Sequence, residues 1–243
     1  MISYEDFSAV FHTVMAHNGQ GRYNTDYHSR KFYILTEHLL KVSEVMNLTA
    51  IKEERAIILK HYADSLSVAD FLPENAKIID IGCGAGFPCL PLAVCRPDLA
   101  ITALDSTEKR MKYVLETAQL LELQNLTGIA ARAEDAGKSA LRESFDVCVA
   151  RAVAELPVLA ELCLPFVQVG GTFLAMKAAR AQEELEKARR AIARLGGKVA
   201  AVHKVALQDN GEQDARVIIE IEKVSPTPKD LPRPYAKIIK KPL

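Results

Sequence analysis

No apolar run in this chain approaches the roughly 20 residues needed to cross a bilayer. The start, Met1-Ile2-Ser3-Tyr4-Glu5-Asp6, also lacks the basic stretch that precedes the apolar segment of an export signal. No membrane association is expected, and a cytoplasmic location is. The five cysteines, Cys83, Cys89, Cys95, Cys148 and Cys163, form an odd set without a C-x-x-C pair, and the six histidines contain no H-E-x-x-H. No metal is expected, and the cysteines read as small buried apolar side chains. Net charge is absent too: 31 Lys and Arg balance 31 Asp and Glu, so the whole-chain field does not by itself favour a nucleic-acid partner. There is no internal repeat and no low-complexity linker.

What is present begins with Lys77-Ile78-Ile79-Asp80-Ile81-Gly82-Cys83-Gly84-Ala85-Gly86-Phe87-Pro88, an apolar run that ends in an acid, three alternate glycines and a proline. It reads as a buried strand turning over a ligand into a helix. Glycine at 82, 84 and 86 allows positive φ and close backbone approach, and Pro88 suits a first helical position. A dinucleotide fingerprint, G-x-G-x-x-G, would place its third glycine where Phe87 stands, and a P-loop would need a lysine that is missing. The remaining pattern, D-x-G-x-G-x-G, resembles the first motif of Rossmann-like S-adenosylmethionine-dependent methyltransferases. A second short strand, Ile101 to Leu104, ends in Asp105, nineteen residues past Gly86, where a doubly wound fold holds a ribose diol. The plainer role of Asp105-Ser106-Thr107-Glu108 is a helix start, and both roles are compatible.

Residues 1–72 read as a helical extension. Phe32, Leu35, Leu39, Val42 and Met46 recur at alternating spacings of three and four, and Ile57, Ile58 and Tyr62 continue a second helical pattern. Residues 73–224 alternate strands and helices: strands over 77–81, 101–105, 127–131, 145–150, 172–177, 198–207 and 215–222, and helices over 88–95, 107–123, 155–165 and 180–195. Gly170-Gly171 reads as a turn. The alternation predicts a mostly parallel seven-stranded α/β sheet with helices on both faces. The last two strands read as a hairpin joined by Gln208 to Asp214, with one strand antiparallel at the edge. Residues 225–243 read as an extended basic tail, in which Lys229, Arg233, Lys237, Lys240 and Lys241 face the single acid Asp230.

In an open α/β sheet the ligand lies beyond the carboxyl ends of the strands. The residues there are Gly82 to Phe87, Asp105, Ala133-Glu134-Asp135, Arg151 and Lys177. Four of these five ends carry charge, which favours a site.

Taken together, Asn47-Leu48-Thr49, His61 with Asp64-Ser65-Leu66, the glycine loop, Leu104-Asp105-Ser106 with Lys109-Arg110, Arg132-Ala133-Glu134, Ala150-Arg151-Ala152-Val153, Pro232-Arg233 and Lys240-Lys241-Pro242-Leu243 resemble the GidB (RsmG) family of bacterial 16S ribosomal RNA guanine-N7 methyltransferases over nearly the whole chain. The resemblance implies S-adenosylmethionine as cofactor, contacted by Gly82, Phe87, Ala133, Glu134 and Arg151 with Asp105 near its ribose, and the glycine-loop motif adds Asp80, Gly84 and Gly86 to the cofactor residues. By chemistry, Glu134 suits an adenine edge, and Arg151 suits either the methionine carboxylate or an RNA phosphate, or else forms an ion pair that stabilises the sheet. The implied partner is 16S rRNA or the small ribosomal subunit. Lys109, Arg110, Arg151, Lys177, Arg233, Lys237, Lys240 and Lys241 are its candidate contacts, and a monomer is expected. His61 and Asp64 either meet the RNA or bond to each other to dock the N-terminal helices. Two departures stand out: Cys89 replaces a usual glycine, and Tyr235-Ala236-Lys237-Ile238-Ile239 replaces a stretch richer in proline and glycine.

Guanine N7 carries a free lone pair, so no general base is required and none is assigned. The motif of exocyclic-amine methylation after the fourth strand is absent, and Pro88-Cys89 lies on the wrong helix for a cytosine-C5 nucleophile. Two rivals remain: a methyltransferase acting on another substrate, and a non-catalytic RNA-binding assembly factor. Deleting residues 229–243 is expected to abolish RNA methylation while sparing cofactor affinity.

Overall fold

The computed structural model describes residues 1–178 and 180–243. Seven strands form one sheet: β1 (Lys77–Ile81), β2 (Ala100–Asp105), β3 (Leu126–Ala130), β4 (Phe145–Arg151), β5 (Val167–Lys177), β6 (Gly197–Asp209) and β7 (Glu212–Lys223). Their order is β3-β2-β1-β4-β5-β7-β6. The pairs from β3 across to β5 are parallel, and β7 runs antiparallel to both β5 and β6. The reversed strand therefore lies inside the sheet with β6 at the edge, not at the edge as its place in the hairpin suggested. The hairpin is also tighter than expected. Its turn is Asn210-Gly211, both at positive φ (47° and 85°), the pairing whose backbone twist matches two flanking strands.

Gly170-Gly171, expected as a turn, lies within β5. There the register with β4 jumps from Phe145↔Val167 to Val147↔Thr172, and a side chain on Gly171 would stand 2.5 Å from the Asp146 carbonyl oxygen. The glycines permit a bulge that prolongs the strand.

Alternation along β1 divides the core. Ile78 joins one apolar cluster and Ile79 and Ile81 the other. The first face is covered by α5 (Cys89–Cys95) and α6 (Glu108–Leu120), and by the N-terminal helices α1 (Tyr4–His17), α2 (Asp26–Ser43), α3 (Glu54–Ile57) and α4 (Asp64–Leu66). The second is covered by α7 (Ala133–Ala136), α8 (Leu156–Cys163), α9 (Ala181–Arg194) and α10 (Tyr235–Lys240). Helix α2 ends at Ser43, so Met46 lies beyond the stripe formed by Phe32, Leu35 and Leu39. Between α3 and α4 the chain takes a π-helical turn, Ile58–Ala63. Such turns re-aim side chains within a helix and recur at functional sites. This one buries Tyr62 completely and carries His61 toward the carboxyl end of the sheet.

The C-terminal segment is neither extended nor separate. Leu231 and Ile238 are fully buried in the second cluster, Tyr235–Lys240 is helical, and the Arg142 guanidinium donates to the carbonyls of Thr227, Pro228 and Leu231.

Candidate functional site

Two adjoining cavities open where the sheet's strands end. The smaller, about 330 Å3, is bounded by Ile81 and Gly82 at the end of β1, Asp105 and Ser106 at the end of β2, Ala131 to Glu134 after β3, and Leu162 and Tyr235 from α8 and α10. The larger, about 560 Å3, is bounded by Lys60, His61, Asp64, Arg151, Lys177 and Arg216 among others. Ala152 and Val153 line both. Val153 packs on Gly82: a side chain built on that glycine would come within 2.7 Å of the valine Cγ2. Ala152 holds a positive φ of 56°, uncommon for a residue with a Cβ. The partition between the cavities is thus a strained loop resting on the bare backbone of the glycine turn.

The residues expected on the cofactor divide into wall and support. Gly82, Asp105, Ala133 and Glu134 line the smaller cavity. Asp105 is 5 % exposed, and its two oxygens accept from the backbone N–H groups of Gly84 (3.0 Å) and Thr107 (2.8 Å). It therefore ties the glycine turn to the start of α6 and retains lone pairs for a ligand hydroxyl. Glu134 is buried, and among the described residues its carboxylate has no hydrogen-bond partner, an acceptor pair turned toward the cavity.

Asp80, Gly84, Gly86 and Phe87 are not on this wall. Asp80 is 1 % exposed, one oxygen accepting from Cys89 N (3.0 Å) and the other without a partner among the described residues. It pins the entry to α5, and burial pushes its carboxyl up to about 7. A side chain on Gly86 would meet Leu90 at 2.3 Å, so that glycine serves packing. Pro88 precedes the first residue of α5, one position earlier than expected. Phe87 faces the N-terminal helices, its ring stacked on His61 with centroids 4.5 Å apart and planes 9° from parallel.

Arg151 is drawn to the larger cavity. It donates to Asp64 Oδ2 (2.8 Å) and the Lys60 carbonyl (3.0 Å), and its guanidinium lies 5.4 Å over Phe87. Arg216, which sequence reading missed, reaches the other Asp64 oxygen at 3.2 Å from β7. His61 and Asp64 do not bond to each other: His61 Nε2 meets Thr49 Oγ1 at 2.8 Å. Burial, with the Arg151 charge nearby, pulls His61 down to about 4, so the ring is neutral at ordinary pH. Both residues dock the N-terminal helices on the sheet, each through its own partners.

Two expected RNA cations are turned inward. Lys177 donates to the Ala154 carbonyl (2.6 Å) and pairs with Glu184 (2.7 Å), which anchors the partition loop. Arg233 grips the fully buried Glu161 of α8 through its backbone N–H and its guanidinium. Lys109, Arg110, Lys237, Lys240 and Lys241 remain exposed. Among the described residues there is no group of three or more metal-ligating side chains, and no helix long and apolar enough to cross a membrane.

The family described as rRNA small subunit methyltransferase G (GidB) matches residues 28–213. The chain belongs to the GidB family. It is 47% identical over 209 residues to ribosomal RNA small subunit methyltransferase G of Deinococcus radiodurans, covering 85% of this chain and 82% of that one. It is 43% identical over 227 residues to the protein of the same name from Brevibacillus brevis, covering 92% and 94%. Among solved structures it resembles M. jannaschii TYW2 in complex with AdoMet (TM-score 0.54, 18% identity, 66% of this chain and 75% of that one). It also resembles a SAM dependent methyltransferase from Aquifex aeolicus (TM-score 0.51, 17% identity, 68% and 92%). At those identities the likeness establishes the Rossmann-like methyltransferase fold.

Within this GidB chain, sequence reading missed Leu162, Arg216 and Tyr235 at the two cavities. Position after a strand end finds residues such as Gly82 and Asp105. It cannot find a side chain that arrives from a neighbouring helix or from a strand running the other way.

Proposed function

We propose that this chain transfers a methyl group from S-adenosylmethionine to N7 of a guanine in 16S ribosomal RNA. The observation that carries this reading is the pair of joined cavities at the sheet's carboxyl ends, within a chain belonging to the small-subunit rRNA methyltransferase G family. The smaller cavity falls in the size range of small-molecule sites, about 300–1,000 Å3. Its polar lining fits the cofactor: the Asp105 carboxylate to accept from a ribose diol, the Glu134 carboxylate, unpartnered among the described residues, to accept from an amino edge, and the bare backbone of Gly82 on the wall. Bound there, S-adenosylmethionine supplies a methyl group made electrophilic by its sulfonium.

What the chain contributes is position and charge. N7 presents a lone pair on the guanine's open edge, so the protein need hold no proton, and the neutral His61 is no acid at ordinary pH. In the larger cavity, Arg151 held rigidly by Asp64, with Lys60 and Arg216, offers forked and point cations suited to the phosphate beside an inserted base. Lys109, Lys237, Lys240 and Lys241 extend the basic surface outward and serve phosphates, whereas Arg110 lines the smaller cavity and pairs with Asp105 at 3.9 Å.

Incubation of the protein with small-subunit rRNA and methyl-labelled cofactor, followed by mass mapping, is expected to place the label on a guanine N7. Label on any other atom would overturn the reading. Asp105→Ala is expected to raise the cofactor's Kd by about tenfold or more, consistent with loss of a charge-assisted hydrogen bond. Wild type without measurable cofactor affinity would favour a non-catalytic binding role. Replacing Lys237, Lys240 and Lys241 together by Ala should weaken RNA binding and flatten its salt dependence by roughly 0.7–0.9 in logarithmic slope per lost phosphate contact. An unchanged slope would remove these lysines from the interface.

A further inference from the structure

The C-terminal segment does more than display cations. Three anchors seat it on α8: Arg233 on buried Glu161, and the buried side chains of Leu231 and Ile238. They bring Tyr235, the first residue of α10, to the smaller cavity, where it lines the wall together with Leu162 of α8 and the run Ala131 to Glu134 after β3. The Arg132 guanidinium lies 5.7 Å over the Tyr235 ring and holds one face of it. The ring is nevertheless 37 % exposed, and among the described residues its hydroxyl makes no hydrogen bond. A large aromatic face is thus held at a cavity rim without being spent on the core.

Its place within the cavity indicates the ligand part it meets. Asp105, the ribose residue, ends β2, and Glu134, the residue for an amino edge, lies after β3; Tyr235, against Arg132, stands with the second group. We propose that Tyr235 is a cofactor-binding residue that closes the adenine end of the cavity by stacking on the base. The C-terminal segment is then a wall of the cofactor site as well as part of the RNA-facing surface. This inference rests on the reading of the smaller cavity as the S-adenosylmethionine site.

The chain contains no tryptophan, so Tyr235→Trp creates a sole indole reporter. Its emission is expected to be quenched by S-adenosylmethionine and by S-adenosylhomocysteine in a saturable manner. An indole placed by Ile239→Trp, on the same helix and outside the cavity lining, should stay silent. Calorimetry should show a Kd about tenfold weaker for Tyr235→Ala, with most of the affinity regained in Tyr235→Phe, since the stack needs the ring and not the hydroxyl. Thermal melting should leave Tyr235→Ala folded, as the ring is partly exposed. If Asp105→Ala loses affinity while Tyr235→Ala binds normally and the Trp at 235 stays silent, Tyr235 does not touch the cofactor. If neither Asp105→Ala nor Tyr235→Ala alters binding, the cavity itself has been misassigned.

Discussion

Arg233→Met is expected to cost about 3–5 kcal/mol of folding stability, because it strands a carboxylate inside the protein. Glu161 is 0 % exposed on α8, and Arg233 satisfies it with three donors: its backbone N–H at 2.8 Å, Nε at 2.9 Å and Nη2 at 2.6 Å. The substitution leaves only the backbone donor and no opposing charge. The double variant Glu161→Met with Arg233→Met should regain most of the loss, since an apolar pair of similar volume needs no desolvated charge. Urea denaturation of the three proteins measures both quantities, and a single-variant loss below about 1 kcal/mol would show that the pair is solvated after all. The same geometry changes how the segment must be dissected. Deleting residues 229–243 would remove Arg233 together with buried Leu231 and Ile238 and the cavity residue Tyr235, so it would perturb folding and cofactor binding along with RNA methylation. The exposed lysines at 237, 240 and 241 are the separable part.

Why the sequence exposed the sheet and hid the segment is a matter of range. Strand β1 could be read because Ile78, Ile79 and Ile81 are followed at once by glycines that only a turn explains, and all of that information is local. Asp105 could be read because the βαβ repeat fixes the distance from one strand end to the next. The π-helical turn at Ile58–Ala63 could not, since Ile57, Ile58 and Tyr62 satisfy a helical period whether or not a residue is inserted. Asn210-Gly211 did carry its own signal, the Asn-Gly pair, and β6 and β7 extend up to it. The roles of Arg233 and Lys177 were the least visible. A cation near a chain end or after a strand reads as surface until its partner is known: Glu161 lies 72 residues from Arg233, and the Ala154 carbonyl that Lys177 reaches lies 23 residues from it. Asp80 was legible as a residue of the loop, but its job was not: it looked like a ligand contact and acts as the pin between β1 and α5.

Asp80→Asn is expected to make the protein more stable at pH 8 by up to about 4 kcal/mol while changing little below pH 4. Burial holds the Asp80 carboxyl at about 7 against an ordinary value of 3.8, with the Cys89 N–H and the Arg151 charge opposing the shift and the Asp105 charge adding to it. Between those two pH values the unfolded chain has released this proton and the folded one retains it. The folded state therefore binds more protons, and its stability falls as pH rises through the window. The contribution is whole below 3.8 and gone above about 7. His61 works in the opposite sense: pulled down to about 4 from 6.5, it leaves the unfolded chain with more protons over that range, so its contribution rises with pH. In the wild type the two slopes oppose each other up to about pH 6.5, and the net fall is concentrated just above it. Asparagine keeps an acceptor for the Cys89 N–H and has nothing to titrate, so the variant loses the Asp80 slope and keeps that of His61, which burial-lowered His28 and His38 reinforce, and its stability rises with pH from about 4 to 6.5. Urea midpoints of wild type and variant at pH 4, 6 and 8 separate the cases. A difference that stays constant across that range would mean that Asp80 ionises at its ordinary pKa. A difference that widens with pH would identify the pin beneath the glycine turn as a protonated carboxyl at acid pH and a buried, costly carboxylate above neutrality.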